Sequence, residues 1–197
     1  MTAQPATIIM PVESQVRELD AKVLLSCLAA ERGFPVVIGS RAFVHFMVDR
    51  IPRGVYLAKS MRTLSIRMFA ILRRLGHEIV AWDEEGLVRW PDEEYYRWRL
   101  SPVTLAQVSH LLAWGEDDAD VLRHYSGYPG TPIHITGNPR IDLLRPELRD
   151  FYREKADRLR QEYGDFVLIN TNFSKVNHFF PHLSELKKPA GELAAGG

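Results

Sequence analysis

Gly76-His77-Glu78-Ile79-Val80-Ala81-Trp82-Asp83-Glu84-Glu85-Gly86-Leu87-Val88-Arg89-Trp90 is the stretch on which the fold turns. A glycine stops the helical pattern of residues 61–75. A short apolar run, His77 to Trp82, follows it and empties into three consecutive carboxylates and a second glycine. A helix that hands over to a buried strand through one glycine is the second half of a strand–helix–strand unit. In an open α/β sheet, ligands are met at the carboxyl ends of the strands. Asp83, Glu84 and Glu85 are expected to stand there, with Gly86 supplying a permissive turn conformation.

The same rhythm extends upstream. Thr7 to Val12 reads as a short buried strand with Pro11 at its exit, because proline cannot serve a central ladder position. Ser14 is placed to cap the next helix. Val16, Leu19, Val23, Cys27 and Leu28 recur at helical spacing and predict the face that packs on a sheet, closed by Gly33. Pro35 to Ser40 is a strand and turn, residues 41–50 a short helix, and Val55 to Ala58 a third strand leading into Lys59-Ser60. In the helix of residues 61–75, Leu64, Met68, Phe69, Leu72 and Leu75 are expected inward.

Downstream, Pro91 to Arg99 is charged and aromatic and reads as a short surface helix. Val108 to Trp114 is either the end of a helix or a fifth strand. Gly115-Glu116-Asp117-Asp118 puts acids in the first turn of a helix, where its dipole favours them. Gly127 and Pro129 end that helix. Ile133-His134-Ile135 is a very short strand before the loop Thr136-Gly137-Asn138-Pro139-Arg140. Residues 147–162 predict one long amphipathic helix, stopped by Gly164, and Phe166 to Phe173 another strand. Repeated strand–helix units at short spacing imply a Rossmann-like open parallel sheet with helices on both faces, a three-layer α/β sandwich. The expected division is a Rossmann-like domain over 1–163, the start of a truncated second domain over 164–183, and a disordered tail over 184–197, where small residues replace bulky apolar ones.

With 46% apolar residues in 197, the chain can fill a real core. The formal net charge is zero, so no net field draws a polyanion, and no nucleic-acid partner is expected. Cys27 is the only cysteine, which rules out an intrachain disulfide and reads as an inert buried thiol of a cytoplasmic protein. No run of 18 apolar residues is present, so no transmembrane segment is expected. The expected location is the cytoplasm, either free or peripheral at the inner membrane.

The turn after the first strand reads Pro11-Val12-Glu13-Ser14, not a glycine-rich phosphate fingerprint. There is no P-loop, nucleophile elbow or H-E-x-x-H, and the histidines lack metal-ligand spacing, so neither a metal nor a cofactor is expected. The candidate residues are those at strand exits. Glu13 can accept bonds from a sugar hydroxyl or act as a base; equally, it can be a solvated acid at a helix start. In the run Asp83-Glu84-Glu85, adjacent carboxylates repel one another, and one of them is suited to general-base work. Lys59 and Ser60 can hold a phosphate with the following helix N-terminus, or Ser60 can simply cap it; Arg53 is a weaker candidate. Asn138 and Arg140 offer donors from a stiff loop, and Thr171, Asn172 and Ser174 occupy a similar exit.

Four segments in order carry a resemblance: Ile51-Pro52-Arg53-Gly54-Val55-Tyr56-Leu57-Ala58-Lys59-Ser60, Trp82-Asp83-Glu84-Glu85-Gly86-Leu87, Thr136-Gly137-Asn138-Pro139-Arg140-Ile141-Asp142 and Leu168-Ile169-Asn170-Thr171-Asn172-Phe173. Together they resemble the bacterial surface carbohydrate biosynthesis protein family, itself similar to glycosyltransferases of the GT-B architecture and distantly to capsule and lipopolysaccharide Kdo-transferase domains. Arg17-Glu18-Leu19-Asp20 and Lys22 fit that family's first helix. The resemblance implies two Rossmann-like domains facing across a cleft, the N-terminal one holding a sugar or lipid-linked glycan acceptor and the C-terminal one a nucleotide-sugar donor as co-substrate. It implies Glu85 as catalytic base with Glu13 nearby, Asn138 and Arg140 lining the cleft, and Asn172 at the start of the donor domain; the acidic run by itself leaves Glu84 as the other candidate for the base. Family members are longer than this chain. A half-cleft cannot hold two substrates in reacting geometry, so a separate donor-binding chain or a homodimer partner would complete the enzyme. The competing expectations are a non-catalytic carbohydrate- or partner-binding module and a nucleotide-sugar epimerase fragment.

Overall fold

A computed structural model describes residues 5–86 and 91–169 of the chain. It forms two compact units, residues 1–150 and 151–197. In the first unit the chain runs through β1 (Thr7–Val12), α1 (Gln15–Glu31), β2 (Val36–Ser40), α2 (Arg41–Phe46) and β3 (Gly54–Ala58). It continues through α3 (Ile66–Arg74), β4 (Glu78–Ala81), α4 (Asp92–Arg99), α5 (Pro102–Leu105), β5 (His110–Ala113), α6 (Glu116–His124), β6 (Ile133–Ile135) and α7 (Pro139–Asp142). The ambiguous segment around residues 108–114 is therefore a strand, β5.

The strands form one six-stranded sheet in the order β2-β1-β3-β4-β5-β6, and every ladder is parallel. With helices on both faces this is the expected Rossmann-like three-layer sandwich. The order reverses direction between β1 and β3. After β1 the chain steps outward to β2, then returns past β1 and adds strands on the other side. At such a reversal the two crossovers leave by opposite faces and open a crevice at the carboxyl edge.

Glycine does two different jobs here. Gly33 has φ +83° and closes α1: its N–H reaches the Ala30 carbonyl at 2.9 Å, and the Phe34 N–H reaches the Ala29 carbonyl at 3.1 Å. That is the paired closure a left-handed residue makes possible. Gly54 is there for space. It faces Thr7 across the β1–β3 ladder, and a Cβ at that point would overlap the Thr7 carbonyl oxygen and come within 2.7 Å of its carbon.

Pro11 lies inside β1, but where it does no harm. The β1–β3 ladder ends at the Ile9–Tyr56 pair, and the Pro11 carbonyl is taken by Lys22 Nζ at 2.6 Å instead of by a strand. The main apolar core lies on one face of the sheet, where Ile9, Tyr56, Ile79 and Leu111 meet Val44, Phe69, Leu72 and Leu105. Successive side chains alternate faces, so Met10, also fully buried, points to the other side, beneath α1.

On that second face α1 reverses its expected orientation. Val16 is 97% exposed, and Val23, Leu28 and Cys27 are also exposed, so the expected inward stripe and the buried thiol are both corrected. The buried positions are Glu18, Ala21, Lys22 and Ala29. Apolar residues ring this helix almost completely, so periodicity cannot choose a side. The alanines let the helix lie close to the sheet, and the two charges find partners there. A second correction concerns Leu64, which is 86% exposed. It falls in a 3-10 turn, Thr63–Ser65, and α3 starts only afterwards, so the helical spacing did not reach it.

The single long helix expected over 147–162 is divided. A 3-10 stretch, Pro146–Tyr152, precedes α8 (Arg153–Tyr163), which lies in the second unit and ends at Gly164 with φ +67°. Residues 166–169 are exposed and form no strand, since a ladder needs a partner and none of the described strands pairs with them. The rest of that expected strand, Thr171, Asn172 and Ser174, and nearly all of the regions expected as a second domain and a tail, lie outside the described residues.

Candidate functional site

At the reversal between β1 and β3, a pocket of about 440 Å³ opens at the carboxyl edge of the sheet. Glu13 enters it from the exit of β1, Arg41 from the exit of β2, and Lys59 and Ser60 from the exit of β3. Glu85 reaches it from the turn after β4, Arg99 from the end of α4, and Arg17, His45 and Arg62 complete the polar wall. Leu64, Met68 and Phe69 form an apolar side. The rule that strand exits meet the ligand thus gathers Glu13, Lys59, Ser60 and Glu85 around one space.

Under this pocket lies a buried ion cluster. Glu18 accepts from the backbone N–H groups of Glu13 and Ser14 at 2.9 and 3.2 Å, and from Lys22 and Lys59 at 2.9 and 3.0 Å. It is thus the carboxylate that caps α1, while the Ser14 side chain caps nothing. Lys22 has three ammonium protons and three acceptors: the Pro11 carbonyl, Glu18, and Glu84 at 2.8 Å. Glu18, Lys22 and Glu84 are each at most 4% exposed. Burial pushes the Glu18 carboxyl up, but the Glu13 N–H and the two lysines outweigh it and hold its pKa at about 2. Burial works against the Lys59 ammonium too; Glu13 and Glu18 prevail, and its pKa is raised. The Glu13 carboxyl is held below its ordinary value, chiefly by its bond to Lys59.

This has a consequence in acid. The folded-state pKa of Glu18 lies below its ordinary 4.5, so its stabilisation is complete above about pH 4.5 and is lost as pH falls through about 2. The expected loss across that window is roughly 3 kcal/mol. Urea midpoints measured through the window test it; a Glu18→Gln chain should show a markedly flatter profile.

The three carboxylates of the run diverge. Asp83 turns down and is held by the fork of Arg99, with Nε at 2.9 Å and Nη2 on the other oxygen, by Tyr95 Oη at 3.1 Å and by the Glu85 N–H at 3.1 Å. Burial, then the charge of Asp83, raises the Tyr95 pKa, so its hydroxyl stays a donor. Glu84 turns under α1 to Lys22. Only Glu85 reaches the pocket, with Arg99 Nη1 at 2.9 Å and Arg17 Nη1 at 3.7 Å. The repulsion expected among neighbours is thus replaced by a cation for each. Gly86 does not have a positive φ; a Cβ there would press on the Asp83 carbonyl at 3.1 Å and the Trp114 indole at 3.2 Å. It is small because Trp114 Nε1 must reach the Asp83 carbonyl, at 2.6 Å.

Asn138 and Arg140 stand apart from the large pocket. Asn138 caps α7 by accepting from the Arg140 N–H at 3.0 Å, and Arg140 Nη1 donates to the Glu84 carbonyl at 3.0 Å. Both border a cavity of about 10 Å³ together with Trp82 and Glu84, room for about one water. Trp82 Nε1 and Glu84 Oε2 are buried there without a protein partner among the described residues. Arg53 precedes β3 and belongs to the opposite, amino edge of the sheet.

Sequence reading gave no role from the residues themselves to Arg17, Glu18, Lys22, Arg41, His45, Tyr56, Arg62 or Arg99. One usable signal existed: Glu18 and Lys22 stand at i and i+4 on the same helical face as Ala21 and Ala29. His45 Nε2 meets Tyr56 Oη at 2.6 Å. Burial, then Arg41, lowers the histidine pKa, while burial raises that of the tyrosine. Which of the two donates is set by the His45 tautomer. Among the described residues, no group of three or more His, Cys, Asp or Glu is arranged to hold a metal ion. No described helix is long and apolar enough to cross a membrane.

No protein-family model, no curated protein and no solved structure matches the chain. What stands is the fold, a Rossmann-like arrangement shared by many nucleotide- and sugar-binding enzymes. A fold of this kind hosts many chemistries, and function has to be argued from the site.

Proposed function

We propose that the chain is the acceptor-side domain of a GT-B-like glycosyltransferase of bacterial surface polysaccharide synthesis. A nucleotide-sugar donor would be brought by a second domain or chain. The observation that carries this reading is the pocket at the strand-order reversal, with Glu13 and Glu85 both on its wall. Sugar hydroxyls are bound by carboxylates and cations at such an edge, and an acceptor hydroxyl needs a carboxylate to take its proton. In the transfer, the acceptor oxygen forms a bond to the anomeric carbon and the bond from that carbon to the leaving phosphate breaks. The hydroxyl proton passes to Glu85. Glu84 has no access to this step, because it faces Lys22 beneath the floor.

Titration calorimetry of the full chain tests the assignment. Oligosaccharide acceptors should bind; nucleotide sugars binding as tightly as acceptors would sink the acceptor-side reading. Glu85→Gln should change stability by no more than about 0.5 kcal/mol, since the side chain is 45% exposed. It should also weaken acceptor binding about ten-fold or more, the scale of one charged hydrogen bond. A large stability loss with unchanged affinity would make Glu85 structural.

A carbohydrate-binding role without transfer is favoured by one detail. Glu85 is engaged by Arg99 and has Arg17 nearby, and it must leave the Arg99 bond before it can accept a proton. Product formed when donor, acceptor and a donor-binding partner are mixed with the chain would decide between the two.

A further inference from the structure

We infer that the pocket's ligand carries an anionic substituent, a phosphoryl or carboxylate group on a sugar, held by Arg62 and Arg17. The sugar part rests on the acceptor-site reading above; the anionic part rests on the charges of the pocket. Each carboxylate in and beneath it already has a cation. Glu13 has Arg41 at 3.1 Å and Lys59, Glu18 has Lys22 and Lys59, Glu84 has Lys22, Asp83 has Arg99, and Glu85 has Arg99. Arg17 also pairs with Glu85, loosely at 3.7 Å, beyond hydrogen-bond distance, and is 55% exposed, so an anion in the pocket can share it. One guanidinium is left. Arg62 is half-buried, lines the same pocket, and has no ion-pair partner among the described residues.

A guanidinium drawn partly out of water beside other cations is costly until an anion joins it. Its planar fork matches the oxygens of a phosphate or a carboxylate. Ser60 and Ser65 add hydroxyl donors, and Leu64 and Met68 give an apolar wall for the body of the ligand. A neutral sugar could use the hydroxyls and the apolar wall but would leave the Arg62 fork without an anion.

The test uses the full chain and four probes: glucose, glucose 6-phosphate, glucuronate and inorganic phosphate. At low salt, at least one charged sugar should bind about ten-fold or more tightly than glucose, and added salt should shrink the difference. Glucose 6-phosphate ahead of glucuronate identifies a phosphoryl group, and the reverse order a carboxylate. Arg62→Gln should abolish the preference while leaving the thermal midpoint unchanged, and Arg17→Gln, at a more exposed position, should reduce it. Equal binding of glucose and both charged sugars, or a preference that survives both variants, overturns the inference while leaving a sugar site standing. Inorganic phosphate binding as tightly as glucose 6-phosphate, and lost in Arg62→Gln, would instead keep the anion site and remove the sugar.

Discussion

Lys22→Met should cost about 3–5 kcal/mol of folding stability, the scale for removing one partner from a buried ion group. The ammonium is 3% exposed and carries two carboxylates and a carbonyl. Methionine fills much of the volume but supplies no proton. Glu18 would still have Lys59 and two backbone N–H groups, whereas Glu84 would lose the one cation it has among the described residues and remain buried. The damage should therefore be concentrated at Glu84. A second substitution, Glu84→Gln, in the Lys22→Met background should recover part of the loss, and the double-mutant cycle isolates the coupling. Chemical denaturation of the four chains makes the measurement; a Lys22→Met cost below about 1 kcal/mol would show that the cluster is not holding the fold.

Gly54→Ala is the other substitution with a large expected effect. The new methyl group would overlap the Thr7 backbone, not the end of a flexible side chain, so no rotamer change relieves it. Either β1 and β3 separate at the Thr7–Gly54 pair or the strand start refolds. Overpacking alone costs about 1–3 kcal/mol, and a clash with backbone at a central ladder belongs at or above the top of that range. The exits of these two strands carry Glu13 and Lys59, so the pocket should also lose its geometry. A thermal midpoint unchanged from the parent chain would contradict the close approach.

The strand exits were legible because they depend on local punctuation. Gly33 and Gly76 stop helices, apolar runs follow, and whatever residue comes next must stand at the carboxyl edge. That rule alone places Glu13, Lys59, Ser60 and Glu85 at the edge where the pocket opens. Direction is where it failed. Asp83, Glu84 and Glu85 are adjacent in sequence, yet one goes to Arg99, one to Lys22 and one to the pocket. Which way each turns depends on α4 and α1, elements far along the chain or across the sheet. Arg99 looked like part of a charged surface helix because its partner is 16 residues away. Arg62 has no sequence signature at all; that it lacks an ion-pair partner among the described residues depends on where the other charges turn.

The inverted orientation of α1 also bears on how the chain finds its structure. Rolled about its own axis, this helix could set Val16, Val23 and Leu28 against the sheet and put Glu18 and Lys22 in water. Hydrophobicity alone would not choose between the two arrangements. Glu18 and Lys22 act as a key that fits one rotation only, since Glu84, the Pro11 carbonyl and Lys59 receive them from one direction. Such a device trades driving force for uniqueness. In the Lys22→Met chain the key is cut away, and amide exchange along α1, read beside the loss in stability, would show the helix sampling both rotations in place of one.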